Sequence, residues 1–264
     1  VRFRHDASDS VLEIYYCRSG RVGWNMQGGT AVYLGAGDVT AHSMACCANS
    51  AMMFPLGYSE GISISVDLKQ LSSICPEVLK NAGVEANLLR DQFCSGKPSA
   101  IPSCSNLEHI FAPLFSAPVS VRISLLKLKV LEILIYLSNM KLEHKELTQY
   151  FSQQTELIKE IHKQLTEQLD QRFTIAELSK QYLINTSTLK EIFKAVYGQP
   201  IATYMKEFRV RQAMKLLRET NDTIADIASQ VGYQTQGKFS SAFQSIVKMS
   251  PREYLSLIHI SEPT

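Results

Sequence analysis

Apolar positions in this chain follow two different periods. Over residues 11–66 they come in short runs: 11–17 before Ser19-Gly20, 22–24, 31–34 after Gly28-Gly29, 39–41 after Gly35-Ala36-Gly37-Asp38, then 50–55 and 61–66. Short apolar runs closed by Gly, Ser and Asp predict strands of a sandwich or barrel. After Asp67 the period lengthens. Residues 67–74 (capped by Asp67), 78–81 and 88–93 read as short helices, 97–102 as loop, and 105–115 and 121–139 as longer helices. Leu125, Leu128, Leu131, Leu134 and Leu137 give the last a wide apolar face, suited to its own domain or to a second copy. The polar stretch 141–155 reads as a linker or helical spacer. Leu157, Ile158, Ile161 and Leu165 then restart a helical period.

From residue 174 one pattern occurs twice. Thr174-Ile175-Ala176-Glu177-Leu178 is echoed by Thr223-Ile224-Ala225-Asp226-Ile227 at an offset of 49. Leu189-Lys190-Glu191-Ile192-Phe193 is echoed by Phe239-Ser240-Ser241-Ala242-Phe243, and Tyr204 by Tyr254, at an offset of 50. One copy has therefore gained a residue in its middle turn while the flanking helices keep register. Thr174 with Glu177, and Thr223 with Asp226, are capping boxes. In the first copy a helix to about residue 181 precedes another over 188–197, whose buried stripe is Leu189, Ile192, Phe193 and Val196. In the second, 224–231 precedes 236–247, with Phe239, Ala242, Phe243 and Ile246 inward. A long helix over 201–217 joins the copies, and Ser250 caps a last short one with Pro251 at its first position. Two small helical units at this spacing point to DNA reading.

Charge changes the picture only modestly. Residues 161–255 hold 13 Lys/Arg and 9 Asp/Glu, a net of +4, and the remainder of the chain is −2. The basic part suits a polyanion. The outward residues have the chemistry a major groove needs: Gln reads adenine, Lys reads guanine, and Glu accepts from cytosine. Lysines and helix N-termini hold phosphates.

These residues carry a resemblance. The stretches Ile224-Ala225-Asp226-Ile227-Ala228, Val231-Gly232-Tyr233, Ser250-Pro251-Arg252-Glu253-Tyr254 and Arg209-Val210-Arg211-Gln212-Ala213, with Phe239 and Phe243, resemble the DNA-binding domain of AraC/XylS-type bacterial transcription regulators. The resemblance implies two recognition helices, held by one linking helix, that enter successive major-groove segments about 34 Å apart. It puts Ser187, Lys190, Glu191, Gln236, Lys238 and Ser241 at bases, and Thr186, Lys194, Thr235, Gln244, Lys248 and Arg252 at phosphates. One departure stands out: Lys248 occupies a position where the family usually has Gly. The first half resembles the family's cupin-like effector and dimerisation domain, with Tyr15, Arg18, Trp24 and His42 as weaker effector-binding candidates.

The expected architecture is multi-domain α+β. A cupin-like β-barrel with following helices occupies residues 1–145, a linker 146–160, and an all-α domain with two helix-turn-helix units 161–255. Residues 256–264 read as a non-native tail. The expected partners are double-stranded DNA, a small-molecule effector, a second copy in a homodimer and, for an activator, RNA polymerase. No signal peptide or membrane span is visible, and the six cysteines, without a C-x-x-C spacing, suit a reducing cytoplasm. A regulator controlled by a protein partner instead of a ligand is the alternative. A metal-dependent cupin enzyme is the remote one, since only His5 and His42 fall in the strand region and no H-x-H pair occurs. Neither a metal nor a cofactor is expected, and no phosphate loop or nucleophile motif appears.

Overall fold

The computed structural model describes residues 8–26, 29–47, 51–94, 99–140 and 150–260. The chain divides into two compact units, Val1–Gln153 and Gln154–Thr264.

The first unit holds eight strands and six helices among the described residues. The strands are β1 (Val11–Gly20), β2 (Val22–Met26), β3 (Thr30–Leu34), β4 (Val39–Ser43), β5 (Met52–Met53), β6 (Ser59–Asp67), β7 (Ser99–Ile101) and β8 (Tyr150–Phe151). The helices are α1 (Met44–Cys47), α2 (Leu68–Ser73), α3 (Glu77–Asn81), α4 (Ala86–Phe93), α5 (Ser105–Ser116) and α6 (Val119–Asn139). The strands make two four-stranded sheets, ordered β6-β1-β4-β7 and β5-β2-β3-β8.

These sheets do not close on one another, which corrects the expected barrel to an open two-sheet arrangement. The chain leaves the first sheet at Gly20, whose φ of 77° suits glycine, and β2 pairs in the second. One face of the first sheet packs Leu12, Ile14, Tyr16, Val39, Ala41 and Ile64 under the helices, with Phe93, Phe111, Leu134 and Leu137. Its other face meets the second sheet through Cys17 and Ala100 against Val22, Trp24, Val32 and Leu34. Strand alternation explains the division, because cross-strand partners such as Tyr15 and Thr40 share a face.

One further expectation is corrected: residues 99–101, expected as loop, form β7 on the edge of β4. Residues 150–160, within the stretch expected as a linker or helical spacer, hold β8, paired with β3, and the start of α7 (Ser152–Glu167). The rest of the linker, Gly28, Ser50, Lys97 and Pro98 lie outside the described residues, as do His5 and His144. The cap on α2 is as expected: Asp67 Oδ1 accepts from Lys69 N at 2.8 Å and Gln70 N at 3.1 Å.

The second unit is helical: α7, α8 (Ile175–Gln181), α9 (Thr186–Tyr197), α10 (Ile201–Glu219), α11 (Ile224–Gln230), α12 (Gln236–Val247) and α13 (Pro251–Ile260). Its second half has a core of Val210, Ala213, Leu217, Ile227, Val231, Phe239 and Phe243. Helix α13 runs on beyond Tyr254, and Leu255 packs against that core. Among the described residues no helix is long and apolar enough to cross a membrane.

Candidate nucleic-acid interface

Each head starts at a threonine. Thr174 Oγ1 accepts from Glu177 N at 3.1 Å while Glu177 Oε2 accepts from Thr174 N at 2.7 Å. The same reciprocal pair links Thr223 and Asp226, at 3.2 and 3.3 Å. These bonds hold the Glu177 carboxyl below the usual carboxylate range. Asn185 caps α9 through Ser187 N at 2.8 Å, and Thr235 caps α12 through Lys238 N at 3.3 Å.

The repeat extends to single turn bonds. Ile184 N donates to Ser179 O at 3.1 Å, and Tyr233 N, 49 residues on, to Ala228 O at 2.8 Å. Gly198 N donates to Lys194 O and Lys248 N, 50 residues on, to Gln244 O. The added residue is thus Gln234, between Tyr233 and the cap Thr235.

Two positions in each head are left-handed, and the heads exchange glycine between them. The turn position is Leu183 (φ 51°) in the first head and Gly232 (φ 78°) in the second. The position after the reading helix is Gly198 (φ 85°) in the first and Lys248 (φ 67°) in the second. The departure at Lys248 is therefore a left-handed lysine, whose Nζ donates to Ser245 O at 2.9 Å. Such a conformation costs a non-glycine residue about 1 kcal/mol. At Gly232 a side chain would collide with Arg209 Nη1 and Leu169 O. Leu183 has no such limit and stands 94% exposed.

Burial leaves one face of each reading helix bare. Leu189, Ile192, Phe193, Val196 and Tyr197 are buried in α9, and Phe239, Ala242 and Phe243 in α12. Ser187, Lys190, Glu191, Gln236, Lys238 and Ser241 are all exposed, as are Thr186, Lys194, Thr235, Gln244, Lys248 and Arg252. Some are already engaged: Ser187 Oγ donates to Asn185 Oδ1, and Ser241 Oγ to Gly237 O at 3.0 Å. The side chains of Lys190, Lys194, Gln236, Lys238 and Gln244 have no partner among the described residues.

What joins the heads is a buried cation on α10. Arg209 is 7% exposed; its Nη1 donates to Val231 O at 2.6 Å and its Nη2 to Gln171 O at 2.7 Å. One guanidinium thus ties the chain entering the first head to the turn of the second. Arg172 reinforces it, with Nε donating to Gly232 O at 2.8 Å and its guanidinium 5.3 Å from the Tyr233 ring centre. Arg209 appeared in the sequence only as part of a motif, and Arg172 gave no signal there.

Under the first reading helix lies an aromatic cluster that the sequence reading also missed. His162 stacks on Tyr197 at 4.2 Å, and its Nε2 lies 2.8 Å from the Tyr204 hydroxyl. Burial pushes the imidazole down to about 4, so it is neutral at pH 7.

In the first unit the effector candidates separate. Tyr15 meets Trp24 edge-on at 5.4 Å, between the two sheets. His42 is buried on the same face of β4 as Thr40, with Nδ1 3.0 Å from Ser43 O. Arg18, three residues from Tyr15, points the other way: it pairs with Glu60 at 2.7 Å and lies 4.4 Å over Phe115. Thr40 Oγ1 is buried between the sheets and has no hydrogen-bond partner among the described residues.

Two cap-turn-stripe units mirrored across one linking helix define a double helix-turn-helix DNA-binding domain. Residues 178–256 match the family described as a helix-turn-helix domain. The chain is 34% identical over 92 residues to the HTH-type transcriptional activator RhaR of Mannheimia succiniciproducens, covering 35% of this chain and 33% of that protein. It is 38% identical over 82 residues to a putative AraC-like transcription regulator of Streptomyces lividans, covering 31% of this chain and 27% of that one. A solved structure, the C-terminal domain of AraT, a response regulator from Geobacillus stearothermophilus, is 27% identical. That match covers 41% of this chain and 90% of that one, at a TM-score of 0.39. The C-terminal unit belongs to the AraC-type helix-turn-helix domains. The chain spans about a third of the length of the curated relatives it matches.

Proposed function

We propose that this protein is a sequence-specific transcription regulator of the AraC type, whose two heads enter successive major-groove segments on one face of a duplex. The observation that carries this reading is the pair of bare helix faces, α9 and α12, bracketed by Arg209. Ser187, Lys190, Glu191, Gln236, Lys238 and Ser241 read bases; Thr186, Lys194, Thr235, Gln244, Lys248 and Arg252 hold phosphates. Selection from random duplexes tests it. A motif whose halves lie one helical turn apart, bound with a steep salt dependence, is the expected result. Equal affinity for every sequence would refute specific reading.

The first unit supplies control in this proposal. Tyr15, Trp24 and His42 face the inter-sheet space, and the buried hydroxyl of Thr40, without a partner among the described residues, supports a polar ligand group there. Arg18 is left out, since it is ion-paired on the opposite face. Val119, Ile123 and Leu128 of α6 are exposed and suit a second copy. RNA polymerase is the further partner of an activator, and the cytoplasm is where a bacterial regulator meets its DNA. Quenching of the single Trp24 by a candidate metabolite tests ligand control, and sedimentation tests the dimer. The reading is of a regulator and not an enzyme.

A further inference from the structure

The two heads of the second unit enclose a groove of about 470 Å³ that none of the residues assigned to bases or phosphates lines. Thr174 of the first head, Met205 of α10, and Tyr233 and Ala242 of the second head all line it. Arg172, Lys206 and Arg209 line it, and no carboxylate does. The described acceptors of the two arginines are neutral backbone carbonyls, so they offset none of the formal charge. Burial first, then the neighbouring Arg172 guanidinium, pull Arg209 below its ordinary range. Of the nearby acids, Asp170 is exposed and Glu177 is tied into the cap of α8. Like charges confined at a concave surface favour an anion between them.

The groove borders a reading face. Ala242 follows Ser241 directly and lies one turn beyond Lys238 on α12, so the groove opens beside side chains that meet the duplex in the reading above. We propose that this groove seats a phosphodiester of the DNA backbone midway between the two major-groove segments, with Lys206 and Arg172 as its donors. This rests on the DNA-reading function proposed for the same unit. The seat fixes register and carries no sequence information.

The test uses the whole chain and a duplex obtained by selection. Lys206 is exposed and makes no described contact, so Lys206→Gln leaves the fold intact. This variant should weaken binding equally on matched and mismatched duplexes and lower the salt slope by about 1. Lys206→Arg should restore the slope. Ethylation of the central phosphate should impair the wild type most, Lys206→Gln less, and leave the Lys206→Gln/Arg172→Gln double variant unaffected. If the wild type binds specifically while Lys206→Gln and Arg172→Gln keep its slope, the seat is refuted and DNA reading stands. If slopes are unchanged but inorganic phosphate raises the melting temperature of the wild type and not of Lys206→Gln, the occupant is free phosphate and the proposal fails. If the wild type binds no duplex, the DNA reading itself falls, and the seat with it.

Discussion

Replacing Arg209 by methionine tests whether one side chain holds the two heads in register. Methionine keeps the aliphatic stem that packs against α10's neighbours and removes every donor. Two short bonds are lost, 2.6 Å to Val231 O and 2.7 Å to Gln171 O, at a site 7% exposed. A hydrogen bond to a charged group contributes about 1.5–3 kcal/mol, and each abandoned carbonyl adds a desolvation cost of about 1–3 kcal/mol. Relief of the buried charge and of repulsion from Arg172 offsets part of this. The net loss is on the order of 3 kcal/mol, a large fraction of the ~5–15 kcal/mol that holds a typical domain folded. Thermal unfolding followed by far-ultraviolet circular dichroism should show a melting point lower by roughly 10–20 °C for the helical unit. Arg209→Lys, with one compact ammonium to reach two carbonyls, should fall between. Binding to a duplex carrying both segments should weaken more than binding to either segment alone. An unchanged melting point together with unchanged two-segment affinity would show that α10 sets the register without this bracket.

Other outcomes can be checked separately. Leu183→Gly and Lys248→Gly should each raise stability, by up to about 1 kcal/mol, because both positions are left-handed; denaturant midpoints measure this. The gain should be smaller at Lys248, whose Nζ bonds Ser245 O. His162 should make stability pH-dependent. Its folded value, about 4, lies below the unfolded value near 6.5, so the unfolded state takes up the proton first. Stability should be full above pH 6.5 and fall as pH drops toward 4. Urea titrations at pH 7 and 5 should diverge for the wild type and converge for His162→Phe. On DNA, Lys190→Ala should relax preference at one base, at about 1–3 kcal/mol, whereas Lys194→Ala should weaken all sequences alike.

Local signals were legible in the sequence and distant ones were not. The capping boxes at Thr174 and Thr223 are spelled within four residues, and both heads start where they do. The cap on α2 followed from Asp67 for the same reason. Strands β7 and β8 have three and two residues, and only their pairing with β4 and β3 defines them. No periodicity can show in so few positions. Closure of the barrel failed as an expectation because the sheet a strand joins is settled by partners far along the chain. Grouping Arg18 with Tyr15 overlooked alternation, since residues three apart on a strand face opposite ways. Arg209 was hidden because its acceptors lie 22 and 38 residues away.

Under the proposed function, the way the two heads have diverged sets what kind of site they would read. Positions with a structural task persist: the threonine caps, the aromatic at Phe193 and Phe243, and the turn bond from Ile184 or Tyr233. Where glycine is demanded by contact it is present, as at Gly232 under Arg209; where only φ is at stake, Leu183 is tolerated. The outward faces have no such constraint and share little. At an offset of 50, Ser187 faces Gly237, Lys190 faces Ser240, Glu191 faces Ser241 and Lys194 faces Gln244. Side chains this different cannot favour the same bases, because each donor and acceptor pattern suits a different base edge. In the proposed reading, one chain therefore meets two unlike half-sites in a fixed order and polarity. A selected motif should be asymmetric, and swapping its halves while keeping their spacing should abolish specific binding.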